Sequence, residues 1–244
     1  MKSGKKRLIW IIVAALATVI GILFALFYFG VLHINSPDKD KYPVRGVDVS
    51  SYQGEIDWDT LASQEIDFAF IKATEGSSYV DPFFDKNWKN ASKTDLRIVA
   101  YHFFSFESSG EKQGKLFCDT VKAVDNMLPP VIDVEFYGKF RSESDIDVHA
   151  VKTELRKLAD VLYAEYGVKP LIYASSETYG AIYEGDFEDC GLWIRSVYSG
   201  VSDGINWTFW QYSNRHRLDG YDGEERYIDM NVFYGSVEDF KNYP

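Results

Sequence analysis

Val131-Ile132-Asp133-Val134-Glu135 is an apolar run that ends in two carboxylates at i and i+2. Alternate side chains of a β-strand share a face, so Asp133 and Glu135 emerge side by side, about 7 Å apart along the backbone. Two close carboxyls in an apolar setting do not both ionise cheaply; one tends to keep its proton at neutral pH and becomes available as a general acid. Glu135, one bond longer and at the end of the run, is the better acid. A competing reading makes Asp133 the cap of a following helix and Glu135 a solvated loop residue, and the pentapeptide alone does not choose between them.

Short apolar runs recur on both sides of this one. Their composition predicts strands at Val44–Val49, Phe68–Lys72, Ile98–Phe103, Val131–Glu135, Leu171–Tyr173, Leu192–Ile194, Phe209–Tyr212 and Ile228–Val232. Amphipathic stretches lie between several of them, clearest at Asp147–Tyr166, where Val151, Leu155, Leu158, Val161 and Leu162 follow a helical period. Alternating strand and helix implies an α/β protein with a parallel sheet, and about eight strands suggests a closed β/α barrel. The later strands are separated by too little helix for eight full repeats. The expectation is therefore an irregular eight-stranded TIM-like barrel with missing helices in its second half.

Chemistry on such barrels collects where the strands end. Asp48, Glu75, Asp133 with Glu135, and Asp229 with Asn231 all fall at or near predicted strand ends.

The chain before the barrel has a different composition. Residues 1–7 carry Lys2, Lys5, Lys6 and Arg7, and 8–32 contain no charged residue. As a helix, that stretch reaches about 37 Å, enough to cross a hydrocarbon core of about 30 Å with some tilt. A cleaved signal peptide is the competitor, because Ala15-Leu16-Ala17 resembles a cleavage site. Cleavage there would leave a strongly apolar new terminus, so an uncleaved transmembrane signal-anchor is the better reading. The basic residues before it place 1–7 in the cytoplasm and everything after 32 outside a bacterial membrane. Residues 33–43, polar and with two prolines, read as a linker, and 44–244 as one catalytic domain.

The formal charge is −11, and −15 without the four basic residues of the tail, which makes nucleic acid an unsuitable partner. Cys118 and Cys190 both fall on the outer side, and their spacing leaves a disulfide open. His33, His102, His149 and His216 show no metal-ligand spacing, and no metal or cofactor is expected. His102 reads as a satisfied structural histidine.

Six motifs recur in order: Gly46-Val47-Asp48-Val49-Ser50-Ser51-Tyr52-Gln53-Gly54, Ile71-Lys72-Ala73-Thr74-Glu75-Gly76, Tyr101-His102-Phe103, Asp133-Val134-Glu135, Trp210-Gln211-Tyr212-Ser213 and Ile228-Asp229-Met230-Asn231. Their order and spacing resemble the glycoside hydrolase family 25 lysozymes, muramidases that cleave bacterial peptidoglycan between N-acetylmuramic acid and N-acetylglucosamine. The resemblance runs from Val44 almost to the C-terminus and implies an irregular eight-stranded barrel. It also implies Glu135 as proton donor, Asp133 as its close partner, and Asp48 and Asp229 as flanking carboxylates. Two departures stand out: Arg195, where the family usually has a small residue, and the acidic loop Arg141–Asp145.

Three routes are open to such carboxylates. An acid and a nucleophile about 5 to 5.5 Å apart give retention through a covalent intermediate, and about 6.5 to 9.5 Å leaves room for an attacking water. In the third, the 2-acetamido group of the sugar attacks its own anomeric carbon while Asp133 orients it, and this route with net retention is the preferred one. Aromatic residues make up 16% of the chain. Tyr52, Tyr101, Phe103, Tyr137, Tyr173, Trp193, Trp210 and Tyr212 fall close to the proposed cleft, where flat rings suit sugar faces. Trp210 and Tyr137, beside motifs of the cleft, are the preferred platforms. Glu75 either contacts substrate or pairs with Lys72.

The expected partners are peptidoglycan glycan strands, and the membrane through the N-terminal helix, with local remodelling or opening of the wall as the purpose. Two alternatives compete. A chitinase-like enzyme is disfavoured because Leu128 and Val131 stand where its Asp-x-x-Asp-x-Asp-x-Glu motif has aspartates. A non-catalytic wall-binding scaffold of an envelope complex is disfavoured because every carboxylate is present.

Overall fold

The computed structural model describes residues 2–30 and 32–244, so Met1 of the expected tail and Val31 of the expected anchor lie outside the described residues. The chain divides into a unit ending at Ile34 and a second unit, Asn35–Pro244. In the first, helix α1 (Lys2–Tyr28) takes in most of the basic tail and ends four residues before the uncharged run does. Gly4–Tyr28 is long and apolar enough to cross a membrane.

The second unit holds strands β1 (Arg45–Val49), β2 (Phe68–Glu75), β3 (Tyr79–Val80), β4 (Arg97–Phe103), β5 (Val131–Val134), β6 (Leu171–Ala174), β7 (Gly191–Arg195), β8 (Phe209–His216) and β9 (Ile228–Phe233). Pairing runs β1-β9-β8-β7-β6-β5-β4-β2-β3, and β1 also pairs with β2. That last pairing closes an eight-stranded barrel, with β3 attached to the end of β2 as a short antiparallel flap. Helices α2 (Trp58–Ala62), α3 (Phe84–Ala91), α4 (Gly110–Thr120) and α5 (Val148–Tyr166) serve the first half. Later connections carry only α6 (Ser176–Thr178), which runs into a π turn, and the terminal α7 (Val237–Asn242).

The sheet is not wholly parallel, as the alternation of strand and helix had implied. A loop with no helix joins β8 to β9, so the chain turns back on itself and β9 runs antiparallel to both β8 and β1.

Alternation along each strand sorts the core into two layers. Inside the barrel lie Phe68, Phe70, Val99, Tyr101, Val131, Leu171, Tyr173, Trp193, Phe209 and Phe233, and Phe240 of α7 packs against them. The intervening residues, such as Val47, Ile71, Ile98, Ile132 and Ile172, face outward under the helices. Helix α5 follows its predicted period: Asp147 caps it by accepting from the Ala150 amide, and Gly167 ends it at φ 73°. It approaches α4 so closely that a Cβ at Gly110 would fall 1.8 Å from the Glu154 carbonyl oxygen.

Of the linker read from sequence at 33–43, the part from Asn35 on belongs to the second unit and is fastened to the barrel at its start. The Asn35 amide donates to the carbonyls of Ser196 and Ser199 at 2.9 and 2.8 Å, and the Arg45 guanidinium donates to that of Pro37 at 2.8 Å. Cys118 is half-buried, Cys190 buried, and both are free thiols.

Candidate active site

The barrel interior changes from apolar to polar along its axis, because the inward positions near the C-terminal ends of the parallel strands are polar. Asp48 of β1 and Asp229 of β9 stand opposite each other in register. The Gln211 side-chain amide of β8 bridges them, donating to the two Asp48 carboxylate oxygens at 3.1 and 3.0 Å and to Asp229 Oδ2 at 2.9 Å. Asn231 Nδ2 donates to Asp48 Oδ2 at 2.8 Å, and its own carbonyl accepts from the Trp193 indole at 2.8 Å. Tyr173 completes the network by donating to Gln211 Oε1 at 2.9 Å. Asp48 and Asp229 also line a depression of about 230 Å³ with Tyr52, Gln53 and Glu225.

Asp133 is buried at the end of β5, and among the described residues its Oδ1 has no hydrogen-bond partner. Glu135, two residues on and just past the strand, is half-buried. Burial pushes both carboxyls up. The neighbouring Glu135 charge raises Asp133 further, to well above the ordinary range, against the pull of Lys72. Arg195, Tyr173 and Lys72 oppose the rise at Glu135. Asp48 is pushed up to about 6 by burial, although the bonds from Asn231 and Gln211 favour its charged form. Asp229 lies well above the usual range because of burial and then the Asp48 charge. Such a cluster holds its protons to higher pH than isolated carboxyls do, which favours general acid catalysis.

Lys72 supplies a cation, and a β-bulge supplies its partner. The register of β2 against β4 shifts between Lys72 and Thr74, which returns Glu75 to the inward face that Lys72 already occupies. The two pair at 2.7 Å, with Lys72 mostly buried. Of the two readings open for Glu75, the ion pair is the one formed. Lys72 also lies 5.0 Å over the Phe103 ring and 5.7 Å over that of Tyr79.

The expected aromatic platforms divide. Tyr52 is 64% exposed at the rim, and Phe103 and Tyr137 are half-buried with ring centroids 5.3 Å apart. The Tyr137 hydroxyl is occupied, accepting from the Phe106 amide at 2.9 Å and donating to Ser105 at 3.2 Å. Tyr101 and Tyr173 are buried within the field of Asp48 and Asp133.

Trp193 and Trp210 are both buried rather than exposed at the mouth. Trp193 is 2% exposed and stacks on Phe70 at 4.0 Å, one layer beneath the carboxylates. Trp210 lies on the outer face of β8, because Phe209 and Gln211 on either side of it take the inward positions. Its indole donates to the Ser196 carbonyl at 2.9 Å, and its ring meets those of Trp207 and Tyr42.

Gln211, which sequence reasoning quoted but did not select, is the residue that ties the site together. Its signal was a polar residue two positions after an inward Phe. His102 is fully buried between Thr74 Oγ1 at 2.7 Å and Gln113 Oε1 at 2.9 Å, with its pKa lowered to about 4 by burial. It is a neutral structural histidine.

Comparison with known proteins agrees with this geometry. Residues 47–221 match the model of the glycosyl hydrolases family 25. The solved structure of a family 25 glycosyl hydrolase from Bacillus anthracis superposes with a TM-score of 0.77 at 48% identity, covering 86% of this chain and 97% of that one. YegX of Escherichia coli K12 is 34% identical over 209 residues, 83% of this chain and 74% of that protein. Lysozyme M1 of Streptomyces globisporus is 32% identical over 216 residues, 81% of this chain and 70% of that one. The chain belongs to the glycosyl hydrolases of family 25.

Proposed function

We propose that the protein is a muramidase that cleaves the β-1,4 bond between N-acetylmuramic acid and N-acetylglucosamine in peptidoglycan. The observation that carries this reading is the gathering of Asp48, Asp133, Glu135 and Asp229 at one barrel mouth in a chain of this family. Glu135 is the proton donor to the leaving oxygen, its pKa raised by burial. The 2-acetamido oxygen attacks the anomeric carbon as the glycosidic bond breaks, and Asp133 orients the acetamido N–H. The unpartnered Oδ1 of Asp133 supports that role. Water then opens the cyclic intermediate, giving its proton to Glu135, and the configuration is retained. Asp48 and Asp229, fixed by Gln211 and Asn231, hold the charge balance of the mouth and line the substrate depression.

In this proposal the apolar N-terminal helix is an uncleaved signal-anchor that leaves residues 1–7 in the cytoplasm and the barrel outside. The tether confines cutting to wall close to the membrane, which suits local remodelling.

Digestion of peptidoglycan with the full-length protein in detergent, followed by mass spectrometry of the products, tests the activity. Chains ending in reducing N-acetylmuramic acid are expected; ends bearing N-acetylglucosamine, or no new ends, contradict it. Cell fractionation tests the anchor: full-length protein in the membrane pellet is expected, and a shortened form free in the medium sinks the tether.

A further inference from the structure

Arg195 ends β7 in register with Gln211 of β8, and so shares the inward face with Trp193 two residues earlier. Its charge is felt at Glu135, Asp229 and Glu177. Among the described residues, no hydrogen-bond or ion-pair partner stands within reach of its guanidinium. A guanidinium presents five donors in a rigid fork matched to a carboxylate. Here that fork is half-buried at the cleft and unused by the protein.

Arg195 lines a groove of about 330 Å³ together with Ser175, Ser176, Glu177, Ser196 and Ser199. Both walls are held in place. On one side, Asn35 and Trp210 donate to the loop carbonyls, and Ser196 Oγ donates to the Ser199 carbonyl at 2.9 Å. On the other, Ser175 Oγ donates to Glu177 Oε2 at 2.7 Å, a bond that keeps Glu177 ionised. A densely anionic polymer would meet Glu177 unfavourably. A single carboxylate set among peptide amides finds one free fork and several hydroxyls.

We propose that this groove is a subsite for the peptide carried by the muramic acid residue, with Arg195 gripping a free carboxylate of that peptide. The inference rests on the muramidase reading, which supplies a peptide-bearing sugar beside Glu135.

The test is calorimetric titration of full-length protein with a muramyl tripeptide and with the same compound amidated at every carboxyl. Neither ligand contains the scissile bond, so binding is read independently of cleavage. Wild type is expected to bind the acid form about tenfold more tightly, the scale of one charge-assisted contact. Arg195→Gln should bring the ratio close to one, and Arg195→Lys, which keeps the charge but not the fork, should fall between. Melting curves of each variant confirm folding. Equal binding of the two compounds by wild type, or a ratio that survives in Arg195→Gln, overturns the proposal. Reducing-end release from peptidoglycan by the same preparations separates the two readings. Tenfold preference without cleavage removes the muramidase and leaves the peptide subsite standing, whereas cleavage with equal binding does the reverse.

Discussion

Where the parallel strands begin, Phe68, Phe70, Phe209, Phe233 and Phe240 fill the barrel ring against ring, with centroids 5.1 to 5.6 Å apart. Where those strands end, the same inward alternation presents Asp48, Lys72, Asp133, Gln211 and Arg195. The lower layer stabilises the fold by burying apolar surface, about 1.5 to 3 kcal/mol for each fully buried large side chain. The upper layer acts in the opposite sense. Burial raises its carboxyl pKa values above those of the unfolded chain, so the folded state binds more protons. Stability is then full below about pH 4 and lost as pH rises through the folded pKa values, which for Asp48 means between about 4 and 6. One end holds the barrel together, and the other is held in place by it.

Substitutions at the two ends should separate activity from stability. Glu135→Gln is expected to lower kcat by about 10² to 10⁴, measured as reducing ends released per minute, with no fall in melting temperature. Phe209→Ala in the lower layer should cost about 3 to 5 kcal/mol in urea unfolding while the folded fraction keeps its kcat within about twofold. Trp210→Phe, outside the barrel, should have the smallest effect. It loses one hydrogen bond to the Ser196 carbonyl, about 1 kcal/mol in the same unfolding assay, and leaves kcat/KM within about threefold. A collapse of kcat in Trp210→Phe would return that ring to the cleft and blur the division between the ends.

The features legible in the sequence are those set by local pattern. Val131–Val134 is buried throughout and, Asp133 apart, apolar, and α5 carries its period and both caps. The carboxylates were legible because each closes or follows such a run. Three things escaped for identifiable reasons. The direction of β9 depends on a loop that contains no helix, and strand composition carries no sign of direction. The bulge after Lys72 carries no sequence signal, so Glu75, named as a site residue or a partner of Lys72, is placed inward only by the structure. Trp210 and Gln211 are adjacent and hence on opposite faces, and the preference for an aromatic ring beside a cleft motif passed over the amide that bridges Asp48 and Asp229.

Asp133→Asn tests most directly the claim that the mouth is kept for chemistry at the expense of stability. The substitution preserves shape and removes a buried carboxyl whose pKa folding raises, a group that costs stability at pH 7 and whose Oδ1 has no partner among the described residues. Melting temperature at pH 7 and reducing-end release from peptidoglycan would be measured on the same sample. A melting temperature higher by about 2 to 4 °C, the scale of about 1 kcal/mol, is expected together with a loss of activity of about 10²-fold. A lower melting temperature with activity intact would contradict it, making Asp133 a structural residue and placing the chemistry elsewhere.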